Sequence, residues 1–371
     1  MKFADPRFWF RLTLLDRYIG HFILLGVGVT LLALVAVFFF INFAGEVGDI
    51  GRGTYGLGTA LLYTTLGVPN LIYELLPLAS LIGALYALGH LAAGSELTVM
   101  RSTGLSVPRL VLSVLRTGLL LFAAAAVVGE WVMPWAEKQG SSVRSEALLE
   151  VTYDVTESGI WLRDGNEFVR IRKIMNERKL GNIQVYRFAE NHEPNVLQIV
   201  KEADFVDEQS GLSGWELRDI DELRFAEDKT ERAQKSAERS KSQVQPQHVQ
   251  LLAVQPEELS TLELYRYIDF LERSGQDAQH HQQVFLERFA QPISVLIMLV
   301  LAVPFVTRSS RSVPVGHRIF VGVMIGIVFY LFDKTFDHMG LVYHFHPIFS
   351  AFTIPLIFLL IGVGLGLRRA A

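Results

Sequence analysis

Long apolar runs separated by short polar breaks fill the first and last thirds of the chain, and the middle third alternates apolar and polar residues instead. Six runs reach the roughly twenty residues that a helix needs to cross a hydrocarbon core. They are Phe22–Phe43, Asn70–Leu91, Val107–Trp131, Val284–Val306, Ile319–Phe336 and Ile348–Leu367. The second apolar region begins earlier, near Leu61, but Pro69 and Pro77 interrupt it, so its first part reads as an interfacial piece. Glu130, Trp131 and Trp135 close the third run as an interfacial belt.

Between Lys138 and Gln255 the hydrophobic period falls to two, which predicts strands. Gly159-Ile160-Trp161-Leu162-Arg163 and Asn166-Glu167-Phe168-Val169-Arg170-Ile171-Arg172 flank Asp164-Gly165, a strong hairpin signal. Further strands are expected near Asn182–Phe188, Val196–Phe205, Trp215–Ile220, Glu222–Phe225 and His248–Val254, the pattern of a sandwich or jellyroll-like sheet. The tract Glu227–Gln245 mixes charges without apolar periodicity and reads as a flexible loop, its basic residues solvated rather than bound to nucleic acid. After Pro256 the pattern turns helical. Ser260 and Glu263 form a capping box ahead of the stripe Leu262, Tyr265, Ile268, Phe270 and Leu271, and a new helix begins near Asp277 and runs into the fourth span. The expected fold class is a six-span α-helical membrane protein with an extracytoplasmic all-β, jellyroll-like domain. Residues 1–137 form one membrane half, 138–255 the β domain and 256–371 the other membrane half.

One break differs from the rest. Gly94-Ser95-Glu96-Leu97-Thr98-Val99-Met100-Arg101-Ser102-Thr103-Gly104 predicts a short helix over 95–104, with Ser95 as N-cap, Glu96 at the positive end of the dipole and Gly104 as the stop. Leu97 and Met100 share a side at i, i+3, and Arg101 joins them at i+4, so a small apolar knob is flanked by charge.

Composition agrees with a bilayer protein: 371 residues, half of them apolar, include 25 phenylalanines, and the mean hydropathy is +0.31. The net charge of −4 conceals a segregation, since charge is sparse before about residue 137 and dense from there to residue 243. With both termini cytoplasmic, the inside segments carry Lys2, Arg7, Arg11, Arg17, Arg101, Arg109, Arg308, Arg311, Arg318, Arg368 and Arg369, and the short outside loops carry little beyond Arg52. The positive-inside rule selects that orientation, with residues 95–104 in the cytoplasm and the β domain outside it. No cleavable signal is expected, because the basic N-terminus precedes a run long enough to span with no small-residue cleavage site behind it. The two membrane halves do not match as inverted repeats of a carrier would. Cysteine is absent, which removes disulfides and thiolate metal sites.

Candidate chemistry is sparse. Gly51-Arg52-Gly53-Thr54-Tyr55-Gly56 is a literal GxGxxG, with Glu74 near the distance of a ribose-binding acid, but it follows a membrane helix and belongs to no βαβ unit. A phosphate loop of the GxxxxGK(S/T) type, HExxH and GxSxG are all absent, and His280 and His281 are adjacent and point to different sides, so no catalytic or metal site is expected. Asn42, Asn70, Glu74, Glu130, Asp333, Lys334, Asp337 and His338 lie at or near membrane depth. A buried charge there costs at least roughly 2.5–3.5 kcal/mol. The group in the fifth span is either a proton relay or a set that pairs locally in the headgroup zone. Phe329, Tyr330, Phe332 and Phe336 cluster in the same span, facing lipid, a neighbouring helix or an acyl-chain cavity.

The strings Leu15-Asp16-Arg17-Tyr18-Ile19-Gly20, Ser95-Glu96-Leu97 through Gly104, Gly129-Glu130-Trp131-Val132, Gly159-Ile160-Trp161, Ser274-Gly275-Gln276-Asp277-Ala278, Arg311-Ser312-Val313-Pro314 and Phe329-Tyr330-Leu331-Phe332-Asp333 together resemble the LptF/LptG family. These are membrane subunits of the lipopolysaccharide export ABC transporter. The resemblance implies a non-catalytic six-span subunit of the bacterial inner membrane that pairs with an LptF-type chain above an LptB-type ATPase dimer. That ATPase alone uses ATP and magnesium, and the chain itself needs no cofactor. Lipopolysaccharide would leave the outer leaflet between the first span of one subunit and the fifth of the other. It would then pass to the periplasmic jellyroll and on to LptC-type and LptA-type proteins.

By the same resemblance, residues 95–104 are the coupling helix, with Glu96, Leu97, Met100 and Arg101 as contacts to the ATPase. Lysines are expected near Asn42 and Asn70, and two basic residues after Gly140 where only Arg144 stands. Either the lipid A phosphates are then held by Arg52, Arg144 and the partner subunit, or the lipid has a different headgroup charge; the candidate lipid-binding residues are Asn42, Arg52, Asn70, Arg144, Phe329, Tyr330, Phe332 and Phe336. The alternatives are a stand-alone proton-coupled lipid carrier or flippase, motivated by Asp333, Asp337 and His338, and a structural anchor whose β domain scaffolds envelope proteins.

Overall fold

Each apolar run long enough to span forms a helix, extended past its apolar limits because a helix satisfies its own backbone where water is absent. The computed structural model describes residues 14–148, 160–164, 167–176, 179–188, 194–206, 214–226, 229–240, 255–273, 276–308 and 315–367. The strand expected near His248–Val254, the Ser274-Gly275 break and the basic residues Lys2, Arg7, Arg11, Arg311, Arg368 and Arg369 lie outside the described residues. The helices are α1 (Leu14–Glu46), α2 (Leu57–Leu66), α3 (Val68–Ala93), α4 (Glu96–Ser102), α5 (Val107–Val127), α6 (Met133–Leu148), α7 (Thr261–Arg273), α8 (Gln279–Arg308), α9 (Val315–Val342) and α10 (Pro347–Leu367). Six candidate spans result among the described residues: Leu14–Asp49, Val68–Ala93, Val107–Leu148, Gln279–Thr307, Gly316–Val342 and Pro347–Gly366. The short α2 is the piece expected before Pro69, and Pro69 sits in the first turn of α3, where its missing N–H costs nothing.

The chain divides into two compact units, one of residues 1–48, 61–140 and 279–371 and the other of residues 49–60 and 141–278. The second boundary therefore falls after residue 278 rather than 255. The unit that contains the strands also holds its flanks by hydrogen bonds. Ser141 Oγ donates to Glu258 at 2.6 Å, and the Thr54 N–H and hydroxyl donate to the Ala147 carbonyl at 2.9 and 3.1 Å.

In the helical unit α3 is the buried element, and α1, α8 and α9 pack on it. Ile19, Ile23, Leu85, Leu88, Val295 and Met298 are among its fully buried side chains. Where α1 crosses α3, a Cβ at Gly26 would lie 2.5 Å from the Gly83 carbonyl oxygen, so the two backbones touch. A second joint lies at the first turn of α1. The wholly buried Asp16 carboxylate accepts from Ser113 Oγ at 2.5 Å and Arg109 at 3.0 Å, and it also pairs with Arg116. An acid in this position is stable only with its cations, so it pins α1 to α5. Between α5 and α6 the chain takes a π-helical turn over Val128–Val132. There the Gly129 carbonyl accepts from Arg288 at 3.2 Å, and the Tyr73 ring occupies the place of a Cβ at Gly129.

The other unit carries β1 (Ile160–Asp164), β2 (Glu167–Asn176), β3 (Lys179–Phe188), β4 (Pro194–Val206), β5 (Gly214–Ala226) and β6 (Lys229–Ser240). They form one antiparallel sheet in chain order. Asp164 ends β1 and pairs with Glu167, as a tight hairpin requires. Ile171, Ile183, Val185, Val200, Trp215 and Leu217 build its apolar core. The two strands expected over Trp215–Phe225 are one continuous strand, β5. The capping box is present: the Ser260 N–H donates to Glu263 at 2.9 Å, and the Glu263 N–H to Ser260 Oγ at 3.4 Å. Burial of the Tyr267 hydroxyl on α7 pushes its pKa up to about 12.

The charged tract expected as a loop is corrected by β6, which pairs along most of β5. Its partners are ionic rather than apolar, so no hydrophobic alternation marks it. Arg232 holds Asp221 through contacts of 2.5 and 2.8 Å. Lys235 reaches the buried Glu222 at 2.6 Å, and Gln198 and Arg224 donate to the same carboxylate at 2.8 and 2.6 Å. Hydrogen bonding from Lys235, helped by Gln198 and Arg224, overcomes burial and holds the Glu222 carboxyl at about 2, below its ordinary 4.5.

Two outcomes are expected. A carboxyl whose folded pKa is depressed stabilises the sheet fully above pH 4.5 and loses that contribution as pH falls toward about 2; the full contribution is roughly 3 kcal/mol. Thermal unfolding followed by circular dichroism should show this loss in acid, and Glu222→Gln should flatten it. Asp16→Asn, which leaves two guanidiniums without their acid, should lower the stability of the helical unit by about 3–5 kcal/mol in detergent; an unchanged melting temperature would show that the acid is not needed there.

Candidate functional site

The short helix α4 is set by its neighbours more than by its own sequence. Ser95 was expected to cap it through the hydroxyl, but that hydroxyl makes no capping bond and the Ser95 backbone is left-handed, at φ 60°. The reason is that Ser95 finishes α3: its N–H donates to the Ala92 carbonyl at 3.1 Å, beside Gly94 N–H to His90 at 3.0 Å. The C-terminal stop is as expected. Gly104, at φ 108°, donates to the Arg101 carbonyl at 3.1 Å, and Leu105 donates to Met100 at 3.0 Å, the two bonds of a Schellman closure.

The apolar side of α4 faces inward. Leu97 is 3% exposed and joins the core of the helical unit, with Met100 packed half-buried against it. The expected exposed knob is therefore corrected: a seven-residue helix lying across the ends of α3 and α5 must bury one face, and its only i, i+3 apolar pair supplies it. Glu96 is also engaged, accepting a 2.6 Å hydrogen bond from the Tyr18 hydroxyl of α1. The free surface consists of Thr98, Val99, Arg101 and Ser102, and Val99 is 60% exposed. Neither Tyr18 nor Val99 stood out in the sequence. Tyr18 lies far from α4 along the chain, and Val99 becomes the surface apolar residue only once Leu97 is known to point in.

The residues expected to hold lipid do not form one cluster. Asn42 is exposed on α1, and Asn70 is half-buried in the first turn of α3. In the other unit Arg52 and Arg144 share one acid, Asp49, at 2.7 Å each. On α9 Phe329 points inward, 3% exposed with its ring edge-on to Phe358, 5.1 Å between centroids; a place for Phe329 on a lipid-facing surface is corrected. Phe332 points outward, 59% exposed. Tyr330 donates to Glu74 at 3.4 Å and meets Phe38 edge-on, and Phe336 is half-buried near Phe345. Helical periodicity turns Tyr330 about 160° away from Phe332, and Phe329, about 60° from Phe332, falls on the buried side of that edge.

The polar group of α9 pairs across helices rather than locally. Lys334 forms a 2.7 Å ion pair with Glu74 of α3. Asp333 and Asp337 are 7% and 9% exposed, and His338 is exposed. Gly51 and Gly53 of the GxGxxG string both take positive φ in a turn, and a Cβ at Gly53 would meet the Ala147 carbonyl at 2.7 Å. These glycines serve chain reversal and close approach, with no strand before them. Among the described residues no group of histidine and acidic side chains is arranged to hold a metal. On the sheet a small pocket opens beside Val169, Ile171, Ile183, Val185, Trp215 and Leu217.

The family profile "Lipopolysaccharide export system permease LptF/LptG" matches residues 17–368. The chain is 34% identical over 357 residues to the lipopolysaccharide export system permease protein LptG of Escherichia coli K12, covering 96% of this chain and 98% of that protein. It is 33% identical over 345 residues to LptG of Haemophilus influenzae, covering 93% and 96%. To LptF of Escherichia coli K12 it is 32% identical over 117 residues, 32% of either chain. A match that runs through all six spans and the intervening sheet, and that extends over the whole of the LptG relatives but a third of LptF, assigns the chain to the LptF/LptG family of lipopolysaccharide export permeases.

Proposed function

We propose that this chain is the LptG-type membrane subunit of an ATP-driven exporter that takes lipopolysaccharide from the outer leaflet of the inner membrane. It hydrolyses nothing itself and pairs with an LptF-type chain. The observation that carries the reading is α4, a short helix between two spans, locked by Leu97, by the Gly104 closure and by the Tyr18–Glu96 bond, with a small polar and apolar face left open. A rigid element of this kind transmits a push from a soluble partner, and no nucleotide-binding motif in the chain supplies that energy. The partner is an LptB-type ATPase dimer, docked on Thr98, Val99 and Ser102, while Glu96 relays the contact to α1.

The distribution of basic residues supports a cytoplasmic α4, cytoplasmic termini and a periplasmic sheet. The lipid path runs along α1 and α9, the least buried of the long helices after assembly of this chain alone. Phe332, with Phe336 one turn on, touches the lipid body; Asn42, Asn70, Arg52 and Arg144 lie on the route of its phosphates. The apolar side of the sheet then receives the acyl chains and passes them to LptC-type and LptA-type proteins.

A second reading, a proton-coupled carrier working alone, draws on the buried Asp333 and Asp337, which lie among the charges of Lys334, Glu74 and Glu287. Lipid movement in vesicles under a pH gradient, without any ATPase present, would select it over the first.

Val99→Asp should abolish copurification of the ATPase while the chain remains inserted and folded; stoichiometric ATPase and full transport in that variant would remove α4 as the docking element. A photocrosslinker at Phe332 should give a lipopolysaccharide adduct and one at Phe329 none, and the reverse pattern would exclude the proposed path.

A further inference from the structure

A second cavity, of about 630 Å³, opens at the α4 end of the helical unit, away from α1 and α9. It lies between the first turns of α5, the last turns of α8 and the last turns of α10, lined by Val107, Val111, Val303, Gly362, Val363 and Gly366. Among the described residues the one charged side chain on its wall is Arg101, which is exposed, and no acid lines it. The Arg101 guanidinium has no hydrogen-bond or ion-pair partner among the described residues. Thr307 adds little polarity, because its hydroxyl is turned back onto the Val303 carbonyl at 3.1 Å.

We propose that this cleft holds one acyl chain of an anionic phospholipid of the cytoplasmic leaflet, with the lipid phosphate on Arg101. The volume is that of a ligand pocket. Its wall on α8, Val300–Thr307, is about 10 Å long, a third of a hydrocarbon core of ~30 Å. A partner helix needs a groove across the whole bilayer, whereas a single acyl chain needs only its own leaflet. A cation at the mouth of an apolar cleft between spans matches a lipid with a negative headgroup. The cleft is open at Gly366, where a Cβ would meet nothing within 4 Å, whereas at Gly362 α10 closes on Leu301 of α8, with 3.3 Å left for a Cβ. The bound lipid thus sits against α4 itself, so that the composition of the leaflet bears on the helix that receives the ATPase. This inference rests on the cytoplasmic placement of α4.

Native mass spectrometry of the purified assembly, supplied with phosphatidylglycerol or phosphatidylcholine, tests it and reports subunit complement in the same spectrum. The expected result is phosphatidylglycerol retained about fivefold over phosphatidylcholine, the preference that one basic residue gives. Arg101→Gln should make the two lipids equal, and Gly366→Phe should remove both; Val363→Trp narrows the same cleft from an exposed position should the glycine variant not fold. Equal retention by the unaltered protein, retention undiminished in the cleft variants, displacement of the lipid by inorganic phosphate, or a copurifying single-span protein in its place would each overturn the proposal. Because the chain has no cysteine, Ser102→Cys gives a unique label for sidedness. Labelling from the periplasmic side would overturn the orientation and the leaflet assignment, whatever the lipid result; stoichiometric ATPase in Val99→Asp with lipid preference intact would overturn only the docking role of α4.

Discussion

Polar groups that leave water must find partners, and in the helical unit those partners lie on other helices. Asp16 joins α1 to α5 through Arg109 and Arg116. Lys334 joins α9 to α3 through Glu74, and at the other end of the same pair Arg318 donates to the Gly89 carbonyl at 3.0 Å. Arg288 of α8 reaches the carbonyl that the π-helical turn frees at Gly129. Apolar packing in lipid has little power to choose one helix rotation over another, because a lipid tail is as apolar as a leucine. These bonds make the choice, each by completing a charge or a carbonyl of one helix with a group from another.

The same requirement separates what was legible in the sequence from what was not. Spans, capping box and the Gly104 stop are local: each is decided by a run of neighbours, and each appears where the pattern places it. The role of Asp16 was not legible, because its partners lie 93 and 100 positions away. Strand β6 escaped because a strand held by Arg232 and Lys235 has no hydrophobic period to detect. In α4 the apolar pair was found and its direction was not, since a helix face says which residues go together and not whether they turn to a core or to a partner. Phe329 and Phe332 show the limit in its simplest form, one inward and one outward on the same aromatic run.

The candidate site therefore gains its character from tertiary restraint. With Leu97 and Glu96 both committed inside the chain, α4 has no freedom to reorient as a side-chain contact would. Its motion is the motion of α1, α3 and α5 together. Family membership places the chain among the lipopolysaccharide export permeases, and the restraint shows how a helix of seven residues is held in one orientation.

The crossing of α1 over α3 has a mechanical meaning. Contact at Gly26 and Gly83 is backbone on backbone, and side chains of α1 pack on α3 on either side of it, Ile19 and Ile23 before the crossing and Leu34 and Phe38 after it. The segment from Asp16 to the crossing is about 15 Å long and that from the crossing to Glu46 about 30 Å, at 1.5 Å per residue. Tyr18, tied to Glu96, lies on the short segment, and Phe40 and Ile41, both exposed, lie on the long one. A side chain at either glycine would wedge the two backbones apart and loosen both stretches at once, so two residues without side chains set how closely the whole of α1 lies on α3.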